Sequence, residues 1–365
     1  MRGQNRVRPI ETILERAVSG EPPSPGELAR LFALGDAGEA AREPLFRAAR
    51  ELRRRHFGGR VFLYGFLYLS TFCRNDCRFC WYRRSNPECR RYRKSDEEVL
   101  EASGRLAESG VHLLDLTLSE DPGLRTGDGF AGLVRLTSRV KEATGLPLMV
   151  SPGVISAAGL AELAQAGADW YACYQETHSR LLFRRLRPGQ SYAARMQAKR
   201  AAREAGLLLE EGILCGVGET HRDLARSVRA MAALSAEQVR AMSFVPHPGV
   251  PLAARRRGDP GRELAAIAVL RLVFPDRLIP ASLDVDGLAG LERRLAAGAN
   301  VVTSLIPPGQ GLAGVAQSAL DIEEGRRTAG EVREVLERSG LEAASRQQYA
   351  DWVARRHYGR AEAEG

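Results

Sequence analysis

From residue 60 onward, short apolar runs alternate with longer stretches of helical periodicity. The runs cover residues 61–70, 111–118, 147–151, 169–174, 208–215, 240–246, 278–284 and 300–305. Helical stretches separate or follow them near 96–109, 130–144, 156–166, 191–205, 222–235, 260–273, 286–297 and 329–338. Gly110, Gly145, Gly167, Gly206 and Gly298 stand just before apolar runs. Glycine suits a helix C-terminus because it takes the left-handed conformation without penalty. Alternation of this kind predicts a parallel sheet in an α/β fold. Eight strand–helix units over about 250 residues fit a closed (β/α)8 barrel of TIM type better than an open sheet. Periodicity cannot see closure, so the open sheet stands as the alternative.

Residues 1–57 read differently. They are polar and helical, punctuated by Pro22, Pro23 and Pro25. This predicts a helical extension over 1–57, a barrel over 58–345 and a peripheral C-terminal tail over 346–365. With 44% hydrophobic and 27% charged residues, the chain can bury a large core. The net charge of +8 comes from arginines spread along the chain, and Arg53-Arg54-Arg55 reads as a solvated helix face. Nucleic-acid binding is therefore not expected. No apolar run is long enough for a membrane span, and the N-terminus lacks the apolar core of a secretory signal. A cytoplasmic protein is expected.

Chemistry gathers at the C-terminal ends of the apolar runs. Asp115, Glu120, Ser151, Glu176, Glu219, His247, Ser282, Asp284, Thr303 and Ser304 all fall there, on the face where barrels place their active sites. Three of the six cysteines, Cys73, Cys77 and Cys80, lie within eight residues directly after the first run. Their CxxxCxxC spacing favours a metal site in a reducing compartment over a disulfide framework. Thiolates suit zinc or iron–sulfur centres. A structural zinc site needs four ligands, and Cys89 is the candidate fourth. Three cysteines around a 4Fe–4S cubane instead leave one iron open to chelate a small molecule. Cys173 and Cys215 are scattered and read as core.

The CxxxCxxC loop after the first strand resembles that of the radical S-adenosylmethionine (SAM) superfamily. The resemblance implies a 4Fe–4S cluster on Cys73, Cys77 and Cys80, with SAM on the open iron. It implies that Phe79 packs near the adenine and that Trp81 and Tyr82 pack around the cluster. Ser119-Glu120-Asp121 stands where the family has a stretch receiving the methionine ammonium. Residues 212–219 resemble a glycine-rich stretch whose backbone approaches the adenine, and Tyr174-Gln175-Glu176-Thr177 resembles one whose Glu contacts SAM in the biotin synthase-like subgroup. Arg195 is placed to meet the methionine carboxylate, its plain alternative being an exposed helix charge. The implied SAM-binding set is Phe79, Ser119, Glu120, Ser151, Glu176, Arg195 and Gly216.

A narrower resemblance, over about residues 50–345, is to the methylornithine synthase family of pyrrolysine biosynthesis. It rests on residues 62–86, 91–99, 109–122, 185–192 and 280–288. It implies a radical isomerisation of L-lysine to (3R)-3-methyl-D-ornithine and an electron donor such as flavodoxin or ferredoxin. It also implies substrate contacts from Asp115, Arg240, Ser282 and Asp284. A guanidinium suits the substrate carboxylate and carboxylates suit its ammonium groups. The plain alternative for Arg240 and Asp284 is an internal salt bridge. His247, between two prolines, is assigned no role. Two other functions stay open: a related radical SAM enzyme acting on a different small molecule, and a zinc-stabilised protein using its basic surface on nucleic acid.

Overall fold

The computed structural model describes residues 8–255, 260–307, 309 and 327–364. Three helices open it: α1 (Ile10–Val18), α2 (Pro25–Ala33) and α3 (Glu39–Phe57). At α2 the Ser24 hydroxyl accepts from the Glu27 amide, and the Glu27 carboxylate accepts from the Ser24 amide. Pro25 fills the first helical position, where no N–H is needed. Strands and helices then alternate: β1 (Arg60–Ser70), α4 (Asp96–Glu108), β2 (Leu113–Leu118), α5 (Gly127–Thr144), β3 (Leu148–Ser151), α6 (Ala157–Gln165), β4 (Trp170–Ala172), α7 (Arg180–Leu186), α8 (Tyr192–Glu204), β5 (Leu208–Cys215), α9 (His221–Ala233), β6 (Gln238–Ser243), α10 (Gly261–Val273), β7 (Pro280–Ser282), α11 (Leu291–Ala296) and β8 (Val301–Leu305). The chain ends with α12 (Ala329–Arg338), a two-residue strand β9 (Glu342–Ala343) and α13 (Arg346–Glu364).

Every apolar run singled out above overlaps one of the strands β1 to β8; β1 starts one residue, and β6 two residues, before its run. All pair in parallel, in the order β6-β5-β4-β3-β2-β1-β8-β7. The ring closes between β6 and β7 through a bridge rather than a ladder: Val239 N donates to Leu278 O at 3.0 Å, and Leu278 N to Glu237 O at 3.1 Å. That bridge lies at the N-terminal ends of the two strands. The architecture is a (β/α)8 barrel of TIM type, nearly closed.

β1 shows how the sequence makes two cores. Phe62, Tyr64, Phe66 and Tyr68 point into the barrel with Met149, Trp170, Leu208 and Val301. Val61, Leu63, Leu67 and Leu69 point outward into the layer beneath the helices. The two-residue period of a strand separates them. At Gly65 an added Cβ would lie 2.9 Å from Leu106 of α4, so glycine lets that helix seat closely. α10 is buried on nearly all sides because α1, α2 and α3 pack over its outer face.

The segment beyond 345 is not a peripheral tail. β9 pairs with the start of β1, and α13 closes the N-terminal end of the barrel. Trp352 stacks on Trp170 with ring centroids 6.0 Å apart, and the Tyr349 and Tyr64 hydroxyls hydrogen-bond at 2.7 Å. Among its described side chains the buried apolar ones are Tyr349, Trp352 and Val353, in a helix otherwise rich in charge, which is why it reads as surface. The spacing i, i+3, i+4 was its one signal. Among the described residues, no helix is long and apolar enough to cross a membrane.

Candidate active site

The loop after β1 carries the three cysteines across the C-terminal mouth. It is stapled at both edges: Arg74 N donates to Glu120 O at 3.0 Å, and Arg78 N to Leu186 O at 2.9 Å. Inside the loop the Arg91 guanidinium donates to the carbonyls of Thr71, Tyr82 and Arg83. Trp81 and Tyr82 are buried with Cys89, and Cys73 and Cys80 pack against them. Cys73, Cys77 and Cys80 all face one pocket. Burial pushes the Cys73 and Cys80 thiols up, and neighbouring cysteine sulfurs push the same way. Cys77 differs: Arg187 Nη1 and Gln190 Nε2 donate to its sulfur at 3.3 and 3.0 Å.

This donor set fits an iron–sulfur cubane. Three soft ligands converge on one wall, and N–H donors meet one of the sulfurs. Among the described residues, no three His, Cys, Asp or Glu converge tightly enough to hold a single ion. A cubane asks for a wider arrangement, because each thiolate binds its own iron. Cys89, the candidate fourth zinc ligand, sits in the aromatic packing instead.

Beside the cysteines lies a ring of ion pairs. Glu120 accepts from Arg195 Nη1 at 3.0 Å and Arg74 Nε at 2.9 Å, with Arg125 at 3.8 Å. Burial alone would raise the Glu120 carboxyl, but Arg195 and the other two arginines outweigh it and hold it below its usual range. Arg195 is thus a buried residue, not an exposed helix charge. Glycine at 153 leaves room for Glu120: an added Cβ would lie 2.1 Å from its Cγ, at a φ of +69°. Glu176 pairs with Arg187 at 3.0 Å, and Arg187 lies over the Phe79 ring at 5.1 Å. Glu176 has φ 66°, a strained value for a side-chain-bearing residue. β5 holds it there, through Glu176 N to Gly212 O and Leu214 N to Glu176 O, both 3.0 Å. Ser119 and Ser151 also line the pocket.

Asp115, Arg240 and Asp284 lie deeper in the same pocket. Arg240 donates through Nε to Glu210 at 2.7 Å and through Nη1 to Thr303 at 3.0 Å, while its buried Nη2 has no hydrogen-bond partner among the described residues. Asp284 pairs with Arg327 at 2.8 Å and accepts from the Tyr68 hydroxyl at 2.8 Å. The suspected pairing of Arg240 with Asp284 is therefore replaced by two separate ones. Asp115 accepts from Ser151 Oγ at 3.0 Å. Burial, aided by the Glu210 charge, pushes its carboxyl up to about 7. Of the acids lining the pocket, Glu120, Glu176 and Asp284 have guanidinium partners. Asp115 has none among the described residues.

Two expected site residues do not line this pocket. Ser282 lies behind it, its hydroxyl accepting from the Asp284 amide at 3.3 Å. Gly216 belongs to a turn closed by Glu219, whose carboxylate accepts from the amides of Gly216, Val217 and Gly218. Cys173 and Cys215 both lie in the outer core, as read from the sequence, and Cys173 also lines the pocket. His247, left without a role, also lines the pocket, its ring 5.6 Å from that of Trp81. Arg187, Gln190, Glu210 and Arg327 were not singled out, and each is fixed by partners distant in sequence.

The sequence pattern of the radical SAM superfamily matches residues 67–231. A 3-methylornithine synthase of Methanosarcina acetivorans is 42% identical over 336 residues, covering 92% of this chain and 94% of its own length. The [FeFe] hydrogenase maturase subunit HydE of Thermotoga maritima is 30% identical over 71% of this chain and 74% of its own. A crystal structure of methylornithine synthase (PylB) superposes with a TM-score of 0.88 at 40% identity, covering 93% of this chain and 99% of the other.

Proposed function

Because this chain belongs to the methylornithine synthase family of radical SAM enzymes, we propose that it isomerises L-lysine to (3R)-3-methyl-D-ornithine in pyrrolysine biosynthesis. The observation that carries the reading is the charge pattern of the pocket beside the three cysteines. Lysine brings one carboxylate and two ammonium groups. Arg240 offers a buried, unpartnered Nη2 to the carboxylate, and its other two nitrogens are held by Glu210 and Thr303. A guanidinium fixed in this way binds a carboxylate at little further entropic cost. Asp115 offers a carboxylate with no cation of its own. Asp284 is already neutralised by Arg327, so its remaining contribution is as a hydrogen-bond acceptor.

Cys73, Cys77 and Cys80 would hold the 4Fe–4S cluster. Phe79, Ser119, Glu120, Ser151, Glu176 and Arg195 would surround SAM, with Gly216 behind them, and Ser282 would support the substrate site through the Asp284 amide. Once bound, the cluster would supply an electron to SAM and so the radical chemistry that the isomerisation of lysine needs. The protein's part is to grip both ends of lysine and keep water out. The aromatic interior and the α13 plug serve the second purpose. The electron would come from a small donor such as flavodoxin or ferredoxin, in a reducing cytoplasm that keeps the thiols available.

The test is an anaerobic reaction of the reconstituted protein with isotopically labelled L-lysine, SAM and a strong reductant. A branched product of unchanged mass is expected. Lysine returned intact while another small molecule is consumed would transfer the reading to a related radical SAM reaction.

The same pocket sets a pH dependence. Ammonium binding needs Asp115 ionised, and its carboxyl is raised to about 7. The KM for lysine should therefore rise as pH falls below 7, by up to about tenfold per pH unit, and level off above it. Asp115→Asn should raise KM throughout and flatten this dependence. A wild-type KM constant from pH 6 to 8 would remove Asp115 from that role.

A further inference from the structure

We propose that Arg187 and Gln190 are positioning residues that hold the Cys77 sulfur by two N–H donors and thereby raise the reduction potential of the cluster. This rests on the assignment of Cys73, Cys77 and Cys80 as its ligands. The two residues come from the connection between α7 and α8, far from the cysteine loop in sequence.

The geometry fixes both donors. Arg187 is buried, and its Nη2 donates to Tyr174 O and to Glu176, each at 3.0 Å. Its guanidinium carbon stands 5.1 Å from the centre of the Phe79 ring. Held at these points, Nη1 is left facing Cys77 at 3.3 Å. Gln190 is oriented by charge. Its Oε1 accepts from Arg187 Nη1 and Arg195 Nη1, both at 3.4 Å. An amide turned the other way would aim N–H groups at two guanidinium groups. The carbonyl therefore faces the arginines, and Nε2 faces the sulfur at 3.0 Å. The same connection stabilises the loop itself, through Arg78 N donating to Leu186 O.

The consequence is electrostatic. Reduction adds one electron, and with it one negative charge, to a cluster whose sulfurs carry part of it. Hydrogen bonds and positive charge at those sulfurs stabilise the reduced form more than the oxidised one. Cys77 receives both, one donor being a guanidinium and the other a neutral amide. Either can be removed without touching a ligand.

The experiment is potentiometric titration of the anaerobically reconstituted holoenzyme with titanium(III) citrate, which gives up one electron as Ti(III) becomes Ti(IV). The reduced cluster is read by electron paramagnetic resonance. Gln190→Leu and Arg187→Lys are compared with wild type at equal iron and sulfide content. Gln190→Leu should lower the ratio of reduced to oxidised cluster at a fixed potential by about tenfold, which is about 59 mV for a one-electron couple. Arg187→Lys keeps the charge but not the fork, and should shift the potential in the same direction by less. Unchanged midpoints in both variants would overturn the proposal. So would a folded Gln190→Leu protein, by circular dichroism, that takes up no iron, since its role would then be cluster assembly. Wild-type protein that takes up no cluster would instead defeat the ligand assignment, and this inference with it.

Discussion

Cys77→Ala should remove the iron–sulfur absorbance and, with it, all cleavage of SAM. Cys73→Ala and Cys80→Ala should do the same. The expectation follows from the pocket wall, where the sulfurs of these three residues face one space. With one thiolate gone, two irons rather than one lack a protein ligand. The Cys77 change also leaves the Arg187 and Gln190 donors without their acceptor. Cys173→Ala and Cys215→Ala are the controls. Cys215 lies in the outer core, and Cys173 lines the pocket beside Tyr171 rather than on the loop. Both should bind a full cluster. Iron and sulfide analysis with the visible spectrum decides the matter, and a complete 4Fe–4S signal in Cys77→Ala would end the assignment.

Arg240→Ala should cost at least about a thousandfold in lysine turnover while cluster content stays at the wild-type level. Arg240 is 2% exposed and its partner Glu210 is wholly buried. Removing the guanidinium strips the pocket of its carboxylate donor and leaves a buried carboxylate without a counter-charge. Breaking a buried pair in this way costs about 3–5 kcal/mol. A thousandfold corresponds to about 4 kcal/mol at 1.36 per decade, so lost binding and the orphaned acid both act in the range required. The two can be separated. Arg240→Met with Glu210→Gln removes both charges, so it should recover thermal stability but not turnover. SAM cleavage without lysine conversion is the expected residue of activity. Turnover within tenfold of wild type in Arg240→Ala would show that the substrate carboxylate is held elsewhere.

What could be read from the chain, and what could not, divides by sequence distance. The strands were legible because a strand buried on both faces is an unbroken apolar run. The cysteine loop was legible because its ligands are neighbours in sequence. α7 was missed because seven residues are too few to show helical periodicity. The α13 plug was missed because three apolar residues in a charged helix say little until Trp170 is seen beneath them. The ion pairs were out of reach altogether. Arg187 lies 110 residues from the cysteine it serves, and Arg327 lies 43 from Asp284. Nothing in local composition marks one arginine among many as the partner of a given acid. The turn at Gly216 and Gly218 was legible as glycine-rich, but not that the Glu219 carboxylate folds back to accept from its amides.

The bridge between β6 and β7 divides the proposed grip on the substrate. β6 carries Arg240, and the chain leaving β7 carries Asp284. On every other side the neighbouring strands are tied by ladders, whereas these two are tied at one end, away from the mouth. The barrel is therefore built less like a hoop than like a clasp, with its hinge at the floor and its two jaws at the rim. A lysine held, as proposed, by Arg240 on one jaw and by groups beside Asp284 on the other would complete the missing side of the ring. In such a vessel the guest would act as the fastener: the substrate would supply the cohesion that the backbone withholds, at the place where a stray water would do most harm.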